Sequence, residues 1–322
     1  MPRDPLPPNL GPVFSVGGAR AAGVSPSRLR ASDLIAPYRG ARVTKDAALA
    51  GVDLAAGTTE GVVRARAVAI GPTLPANQFF SHLTAAVLWG LPVPASLLVD
   101  HGRGPRDLDI GVYAPLRHPR HVGVKGHQVR PDGLRVVSHP VLGVRVTSPA
   151  STWALLGSHV RDPYDLVALG DALVREQMFA NDPPPLATLP DLREAMDAAR
   201  RVGGPALRRA CERIRTRSAS RMETRSRLIL VDAGLPEPEL NHMIRDRTGA
   251  VVACVDLAYP EQRVAMEYEG EHHLTDPRQW SRDIRRYETL AAMGWFVVRI
   301  TKTDVFDGRA EFVRRVRRAL TR

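Results

Sequence analysis

Two strand-like runs near the C-terminus, residues 251–259 and 263–269, are joined by the short connection Pro260-Glu-Gln-Arg263. Alternating side chains and so short a link predict an antiparallel β-hairpin. If the loop has four residues, the register sets Asp256 directly opposite Glu267. This alignment limits how the C-terminal part of the chain can fold.

Side chains alternate between the faces of a strand, so the same register gives the hairpin two different faces. Glu269 lies opposite Cys254 and joins Asp256 and Glu267 on one face, beside the small side chains of Ala258 and Ala265. The opposite face is apolar and consists of Val255, Leu257, Tyr259, Val264, Met266 and Tyr268.

Like charges directly opposite each other destabilise a sheet, so the acidic face requires a compensating charge. A hard divalent cation with oxygen ligands is the simplest compensation. A solvated hairpin face on which the acids are spread is the alternative. The acidic face depends on loop length, because a loop one residue longer or shorter moves one strand's side chains to the other face.

The elements around the hairpin predict a mixed sheet flanked by helices over residues 218–322. A helix opens at Ser220-Arg-Met-Glu223 and runs through Leu230, and strands follow at 239–245, 251–259 and 263–269. Pro277 at the first helical position and Gly294 after the last predict a helix over 277–293. A strand at 295–301 and a basic helix at 309–320 complete the pattern.

Four segments of this region resemble the very-short-patch-repair (Vsr)-like endonucleases. They are Val255–Pro260, Met266–His273, Asp283–Leu290 and Gly294–Thr301, and their order and spacing agree with that family. The resemblance implies a PD-(D/E)xK nuclease fold, in which Asp256 and Glu267 hold Mg²⁺ or Mn²⁺.

The chain departs from the class pattern at one position. The class has Lys two residues after the second acid, and this sequence has Glu269 there. His273 is the natural group to orient or deprotonate water in its place, because an unperturbed imidazole titrates near neutral pH. His272 is a credible substitute, and a surface histidine after a strand is the alternative.

Three further positions are candidates for the same site. Glu223 fits a helix capping box, while the resemblance implies that it faces the metal. Asp283 and Arg286 are one helical turn apart, so Arg286 either forms an ion pair or contacts a DNA phosphate. Arg299 is a further candidate for a phosphate contact.

The first half of the chain predicts a different organisation. The turn at 21–29, with Pro26 after Ser25, is compatible with a helix-turn-helix that presents Arg28 to DNA, or with a small helical cap. This turn, Leu83–Pro92 and Gly143–Pro149 resemble AbiEi-type antitoxin-like proteins. That resemblance implies a winged-helix DNA-binding start without catalysis.

The middle region has a mixed pattern of helices and strands. We expect a helix at 81–89, strands within 107–113 and 134–147, and helix starts before Pro149 and Pro163. Asp107 and Asp109 are expected at an ordinary strand edge rather than in a metal site. His118, His121 and His127 are expected to be solvated in a loop rather than to bind a metal.

These patterns predict an α/β protein with four parts. The parts are a winged-helix-like segment at 1–60, an AbiEi-like middle domain at 61–180, a linker and basic helix at 181–217, and the nuclease-like domain at 218–322. The linker contains Asp182-Pro-Pro-Pro185.

Composition indicates which partners and which cellular location to expect. The net charge of +11 favours a polyanion such as DNA, although 42 of the 45 basic residues are Arg, which also suggests a high-GC genome. The two cysteines do not form a zinc cluster or a disulfide framework. We find no phosphate-binding loop, no signal peptide and no apolar run of membrane length, so we expect no nucleotide cofactor and a cytoplasmic protein.

The sequence therefore predicts a metal-dependent DNA endonuclease. The alternative is a DNA-binding regulator or antitoxin-like protein whose nuclease domain is inactive, and the missing Lys at Glu269 favours it.

Overall fold

The computed structural model describes residues 4–36, 40–45, 58–100, 104–270 and 277–322, with the backbone alone at 277–284. The chain forms two compact units. The first unit is Met1–Arg161 with Pro190–Arg208, and the second is Asp162–Leu189 with Arg209–Arg322. Each combines helices with sheets, which confirms the predicted α/β class.

The described strands, in chain order, are β1 (Val13–Ser15), β2 (Leu34–Ile35), β3 (Ala41–Thr44), β4 (Gln78–Phe80), β5 (Val99–Asp100), β6 (Gly104–Pro105), β7 (Leu108–Tyr113), β8 (Val124–Val129), β9 (Val136–Ser138), β10 (Arg145–Thr147), β11 (Glu239–Arg245), β12 (Val251–Tyr259), β13 (Val264–Tyr268) and β14 (Phe296–Ile300).

The described α-helices are α1 (Val16–Ala21), α2 (Thr59–Ile70), α3 (His82–Leu88), α4 (Pro149–Leu156), α5 (Pro163–Val174), α6 (Leu189–Asp197), α7 (Gly204–Arg213), α8 (Arg221–Asp232), α9 (Pro277–Ala292), α10 (Lys302–Phe306) and α11 (Arg309–Leu320). None of these described helices is both long and apolar enough to cross a lipid bilayer.

The N-terminal part of the first unit is a small antiparallel sheet, in the order β1-β3-β2, beside helix α1. The helix expected after Pro26 is wrong, because residues Arg28–Arg30 form only a 3-10 turn. Arg28 does not project freely towards a DNA partner. Its guanidinium donates two hydrogen bonds to Asp33, at 2.8 and 3.0 Å, and one to the Asp4 carbonyl at 2.7 Å.

A five-stranded mixed sheet, in the order β8-β7-β4-β10-β9, is the centre of the first unit. The predicted strand at 107–113 and the predicted helix at 81–89 are confirmed as β7 and α3. Ser148 caps α4 through its side chain, as expected from the Pro149 that follows it.

Two expectations for the first unit are wrong. Asp109 lies inside β7, which is an interior strand, and it is fully buried. His127 belongs to β8 and bonds Asp109 Oδ1 through Nε2 at 2.7 Å, so it is not a solvated loop residue. The strand was not predicted because the interior of β8 is Lys-Gly-His-Gln, which has no apolar periodicity.

The Arg-rich stretch expected to be helical from 191 to 217 forms two helices, α6 and α7, with a turn between them. Gly203 in this turn has φ +85° and lies against the backbone of Gly157, where a Cβ would be 2.2 Å from the Gly157 carbonyl. Only glycine permits this approach, which is why the helical pattern breaks there.

The C-terminal part of the second unit is a four-stranded sheet in the order β11-β12-β13-β14. The first three strands are antiparallel, and β14 is parallel to β13. Helices α8 and α11 contribute Ile229, Leu230 and Phe312 to the core on one face of this sheet. Leu290 of α9 packs against the other face.

The predicted order of elements over 218–322 is confirmed, with bounds within three residues for each element. The short helix α10 was not predicted; its capping box joins Thr301 and Asp304. Helix α5, which lies inside the predicted middle domain, belongs to the second unit.

Buried ion pairs join α5 to α8 within the second unit. Arg225 and Arg227 are each 1% exposed. Arg225 donates to Asp165 at 2.6 Å, and Arg227 donates to Asp171 at 3.2 Å. Burial raises the pKa of Asp171, although Arg227 opposes the shift. Removing one member of such a pair leaves its partner charge without compensation.

We expect Arg227→Ala to lower the free energy of unfolding by about 3–5 kcal/mol, the usual cost of breaking a buried ion pair from one side. The exposed Arg318→Ala on α11 is the matched control and should change it by less than about 0.5 kcal/mol. Urea unfolding followed by circular dichroism measures both. Equal effects of the two substitutions would contradict the role assigned to the buried pair.

Candidate functional site

The β12–β13 hairpin has the register that the four-residue loop predicted. Tyr259 pairs with Val264, and Leu257 pairs with Met266. Continuing this register by one step brings Asp256 beside Glu267. The backbone N–H of Tyr268 donates to Asp256 Oδ2 at 2.7 Å, so the Asp256 carboxylate reaches the end of β13.

The predicted separation of faces is wrong at one residue. Val255 was expected on the apolar face with Leu257, but it packs with Ala258 and Ala265 on the α9 side of the sheet. In the β11–β12 register, Asn241 lies opposite Asp256 and has a left-handed backbone with φ +47°. The Leu240–Leu257 and His242–Val255 pairs on either side keep the same register, so no residue is inserted here. The change of face therefore occurs at Asp256, beside this left-handed residue.

Glu267 is buried beneath α9 with only 5% of its surface exposed. Its Oε2 accepts hydrogen bonds from Arg286 at 2.7 Å and from the Tyr287 hydroxyl at 2.8 Å. Its Oε1 is buried and has no hydrogen-bond partner among the described residues. Burial raises the pKa of Glu267, and the Arg286 guanidinium opposes that shift.

Asp256 is the acid whose ionisation the surroundings disfavour. Burial raises its pKa to about 6, and the negative charge of Glu223 is the next cause. The N–H of Tyr268 and the charge of Arg286 lower the pKa but do not cancel these effects. The carboxylates of β12, β13 and α8 are therefore close enough to interact electrostatically.

Glu223 lies on the first turn of α8 and is 6% exposed. The Ser220 side chain caps the helix as predicted. In a complete capping box the Glu223 side chain would accept from the backbone N–H of Ser220. Here Glu223 Oε2 accepts instead from the N–H of Ala219, at 2.8 Å. The same oxygen accepts from Asn241 Nδ2 at 2.7 Å. Glu223 therefore has both a structural role and an electrostatic influence on Asp256.

Glu269 is held by α9 and β14. Its Oε1 accepts from Arg299 Nε at 2.8 Å and lies 2.8 Å from the Tyr287 hydroxyl, whose single hydrogen is donated to either Glu267 or Glu269. Tyr287 thus bridges Glu267 and Glu269, which places these two acids on the same side of the sheet as the hairpin register predicts. Arg299 pairs with Glu267 in the parallel β13–β14 ladder, and its side chain is 53% exposed.

Arg286 forms an ion pair, one of the two roles that the sequence left open, and its guanidinium contacts Glu267. The side chain of Asp283 lies outside the described residues. His272 and His273 also lie outside the described residues. Among the described residues, no three His, Cys, Asp or Glu side chains converge on one cation position.

Two residues of the site were missed in the sequence. Tyr287 contacts Glu267 and Glu269. The available signal was the i, i+3 spacing of Tyr287 and Leu290, which places both on one face of α9. Asn241 holds Glu223 and accepts a weak hydrogen bond from Cys254 Sγ at 3.9 Å. Nothing in the Leu240-Asn241-His242 pattern indicated a left-handed residue in a strand.

Comparison with known proteins places the chain beside two mycobacterial proteins. The uncharacterized proteins Rv2248 and MT2308, from two strains of Mycobacterium tuberculosis, are each 31% identical to it over 240 residues. The match covers 74% of this chain and 80% of each relative. The chain belongs to the family of these proteins. No protein-family profile matches the chain, and no solved structure matches it significantly.

The raised pKa of Asp256 should make the stability of the protein depend on pH. In the folded protein the pKa of Asp256 is about 6, against an ordinary value of 3.8, so the folded state binds more protons between these values. Stability therefore falls as the pH rises from about 4 to about 6 and is level above that.

We expect Asp256→Asn to be more stable than the wild type above pH 6 in metal-free buffer, by on the order of 2 kcal/mol. The amide keeps an acceptor for the Tyr268 N–H but carries no charge. Urea unfolding between pH 4 and pH 8 in chelator measures the difference, with the exposed Asp307→Asn as control. A variant whose stability falls with pH as steeply as the wild type would show that Asp256 is ionised without cost.

Proposed function

We propose that this protein is a divalent-metal-dependent DNA endonuclease with a Vsr-like PD-(D/E)xK centre in its second unit. The observation that carries the proposal is the Glu267 carboxylate. One of its oxygens is buried without a hydrogen-bond partner among the described residues, next to the ionisation-resistant Asp256. A buried acceptor without a donor is costly, and a cation in contact with it removes the cost.

The donors of this cluster fit Mg²⁺ or Mn²⁺, because both ions prefer carboxylate oxygens. Asp256 and Glu267 would hold the ion, and Glu223 or Glu269 would join them only after a side-chain movement, since no three acids converge on one position among the described residues. When bound, the ion would activate a water molecule and stabilise the negative charge of the scissile phosphate. The mixed sheet with β14 parallel to β13, flanked by α8 and α9, is compatible with the proposed PD-(D/E)xK fold.

The protein's own side chains would position the acids and the DNA. Tyr287 donates to Glu267 or Glu269 and keeps their carboxylates on one side of the sheet. Arg286 stabilises the ionised form of Glu267. Half of the Arg299 side chain remains accessible, so its guanidinium is available to a backbone phosphate.

Proton transfer is proposed for His273, with His272 as the substitute. Glu269 cannot supply the positive charge that the class lysine brings. Arg299, which bonds Glu269 at 2.8 Å, neutralises that acid and returns a cation to the same end of β13. The net charge of +11 supports attraction of the DNA backbone without sequence preference. The proposed setting is cytoplasmic.

The second candidate is a non-catalytic DNA-binding regulator or antitoxin-like protein. The Arg286–Glu267 ion pair at 2.7 Å favours it, because a guanidinium already compensates one of the two proposed metal ligands. Replacement of the class lysine by Glu269 supports it as well.

We expect Glu267→Gln and Asp256→Asn each to reduce Mg²⁺-dependent nicking of DNA to background while the protein remains folded. Glu261→Gln, in the exposed hairpin loop, is the matched control and should cut like the wild type. Supercoiled plasmid and mismatched duplex, each with Mg²⁺ or Mn²⁺, are the substrates. Wild-type protein that binds these DNAs and cuts none of them would favour the regulator.

His273→Ala should lower the cleavage rate by about 10²–10⁴-fold with little change in DNA affinity, the range for losing a general acid-base group. His272→Ala tests the proposed substitute in the same way. Single-turnover cleavage and a separate filter-binding measurement distinguish the two effects. Full activity in both variants would exclude an imidazole from proton transfer.

A further inference from the structure

A cavity of about 240 Å³ lies in the first unit, against β8, α4 and the turn after α6. Its lining includes His82, His127, Arg130, Ser158, Arg200 and Arg201, and no lining residue is acidic. Arg130 and Arg200 are exposed to solvent, and Arg130 Nε lies 3.9 Å from Asp132, whereas Arg201 is half-buried. The proposed nuclease site is built from other residues and does not use this cavity.

Arg201 is the most informative of these residues. Its Nε is buried and has no hydrogen-bond partner among the described residues. Its terminal NH2 nitrogen donates only a long hydrogen bond, of 3.3 Å, to the Gly133 carbonyl. Burial lowers the pKa of Arg201, so its charge is held where solvation is poor. A buried donor without an acceptor is costly, and an anion in the cavity would supply the acceptor.

The imidazoles on the other side of the cavity form a second unusual feature. His82 is 6% exposed and has a left-handed backbone with φ +48°. Its ring stacks on that of His127, with 3.9 Å between the ring centroids. Backbone strain of this kind persists where the surrounding structure enforces it, and it is concentrated at functional positions.

Positive charges surround the His82 ring. Burial lowers the pKa of His82, and the charges of His127, His159, Lys125 and Arg106 lower it further. The acid of this cluster, Asp109, lies behind His127 and bonds its Nε2 at 2.7 Å. Asp109 is fully buried and does not line the cavity, so the cavity itself presents cations and neutral donors.

We infer that this cavity binds a phosphate monoester. Guanidinium forks match the oxygens of a phosphate in pairs, and the hydroxyl of Ser158 adds a neutral polar group. The volume is below the about 300–1,000 Å³ of sites for drug-sized ligands, which suits a phosphate with a small organic group. The apolar side chains of Ala154 and Leu155 line the remaining wall.

Isothermal titration of the full chain with ribose 5-phosphate tests the inference, with ribose as the uncharged control. We expect saturable binding of the phosphate ester and none of ribose. Arg130→Gln and Arg200→Gln change exposed side chains and should each weaken binding by about tenfold, the effect of about 1.4 kcal/mol. Arg193→Gln, on the exposed face of α6 and away from the cavity, should bind like the wild type.

The source of the phosphate is distinguished by a second pair of ligands. A 5′-phosphorylated trinucleotide is compared with the same trinucleotide ending in a 5′-hydroxyl. Preference for the phosphorylated form over ribose 5-phosphate identifies a nucleic-acid end, and the reverse identifies a small phosphorylated metabolite.

Arg201→Gln provides the sharpest test, with thermal unfolding as a check that the variant is folded. Because Arg201 Nε has no partner among the described residues, its loss should abolish binding without lowering the melting temperature. Wild-type affinity in the Arg130, Arg200 and Arg201 variants would overturn the inference, as would equal binding of ribose and ribose 5-phosphate. Nuclease assays do not enter this test, so it stands or fails independently of the proposed function.

Discussion

The antiparallel pairing of β12 with β13 through a four-residue loop determines the arrangement of the second unit. It sets Asp256 beside the end of β13 and turns Glu267 towards α9. The parallel strand β14 then brings Arg299 next to Glu267, and α9 covers the acids with Arg286 and Tyr287. A shift of one residue in this register would move Glu267 into the apolar core formed by the other face.

The order of elements in the second unit was predictable because proline, glycine and capping residues mark its helix ends. The hairpin register was predictable because the loop is short. The site was only partly predictable, since the contacts of Glu267 with Arg286 and Tyr287 depend on how α9 packs on the sheet. Val255 faces the α9 side at the point where β12 passes the left-handed Asn241 of another strand, and local alternation cannot indicate such a neighbour.

The first unit was harder to predict because its functional groups meet through long-range pairing. Asp109 and His127 are 18 residues apart and adjoin only because β7 and β8 pair in parallel. His127 therefore resembled a loop residue in the sequence. Gly203, whose contact with Gly157 separates α6 from α7, is another case in which tertiary packing overrides a helical pattern.

The two networks of buried charge in the second unit differ in which atoms have no hydrogen-bond partner. Between α5 and α8, both oxygens of Asp165 and of Asp171 accept hydrogen bonds, and the α8 side-chain atoms without partners among the described residues are the Nε atoms of Arg225 and Arg227 and the hydroxyl of Ser226. Both aspartates are therefore compensated by arginines, and no cation is needed between these helices. Around the hairpin a carboxylate oxygen, Glu267 Oε1, is buried without a donor among the described residues. A surplus of buried carboxylate oxygens requires a cation, and this difference is why the hairpin, rather than the more heavily charged α5–α8 contact, is the centre at which metal-dependent chemistry is proposed.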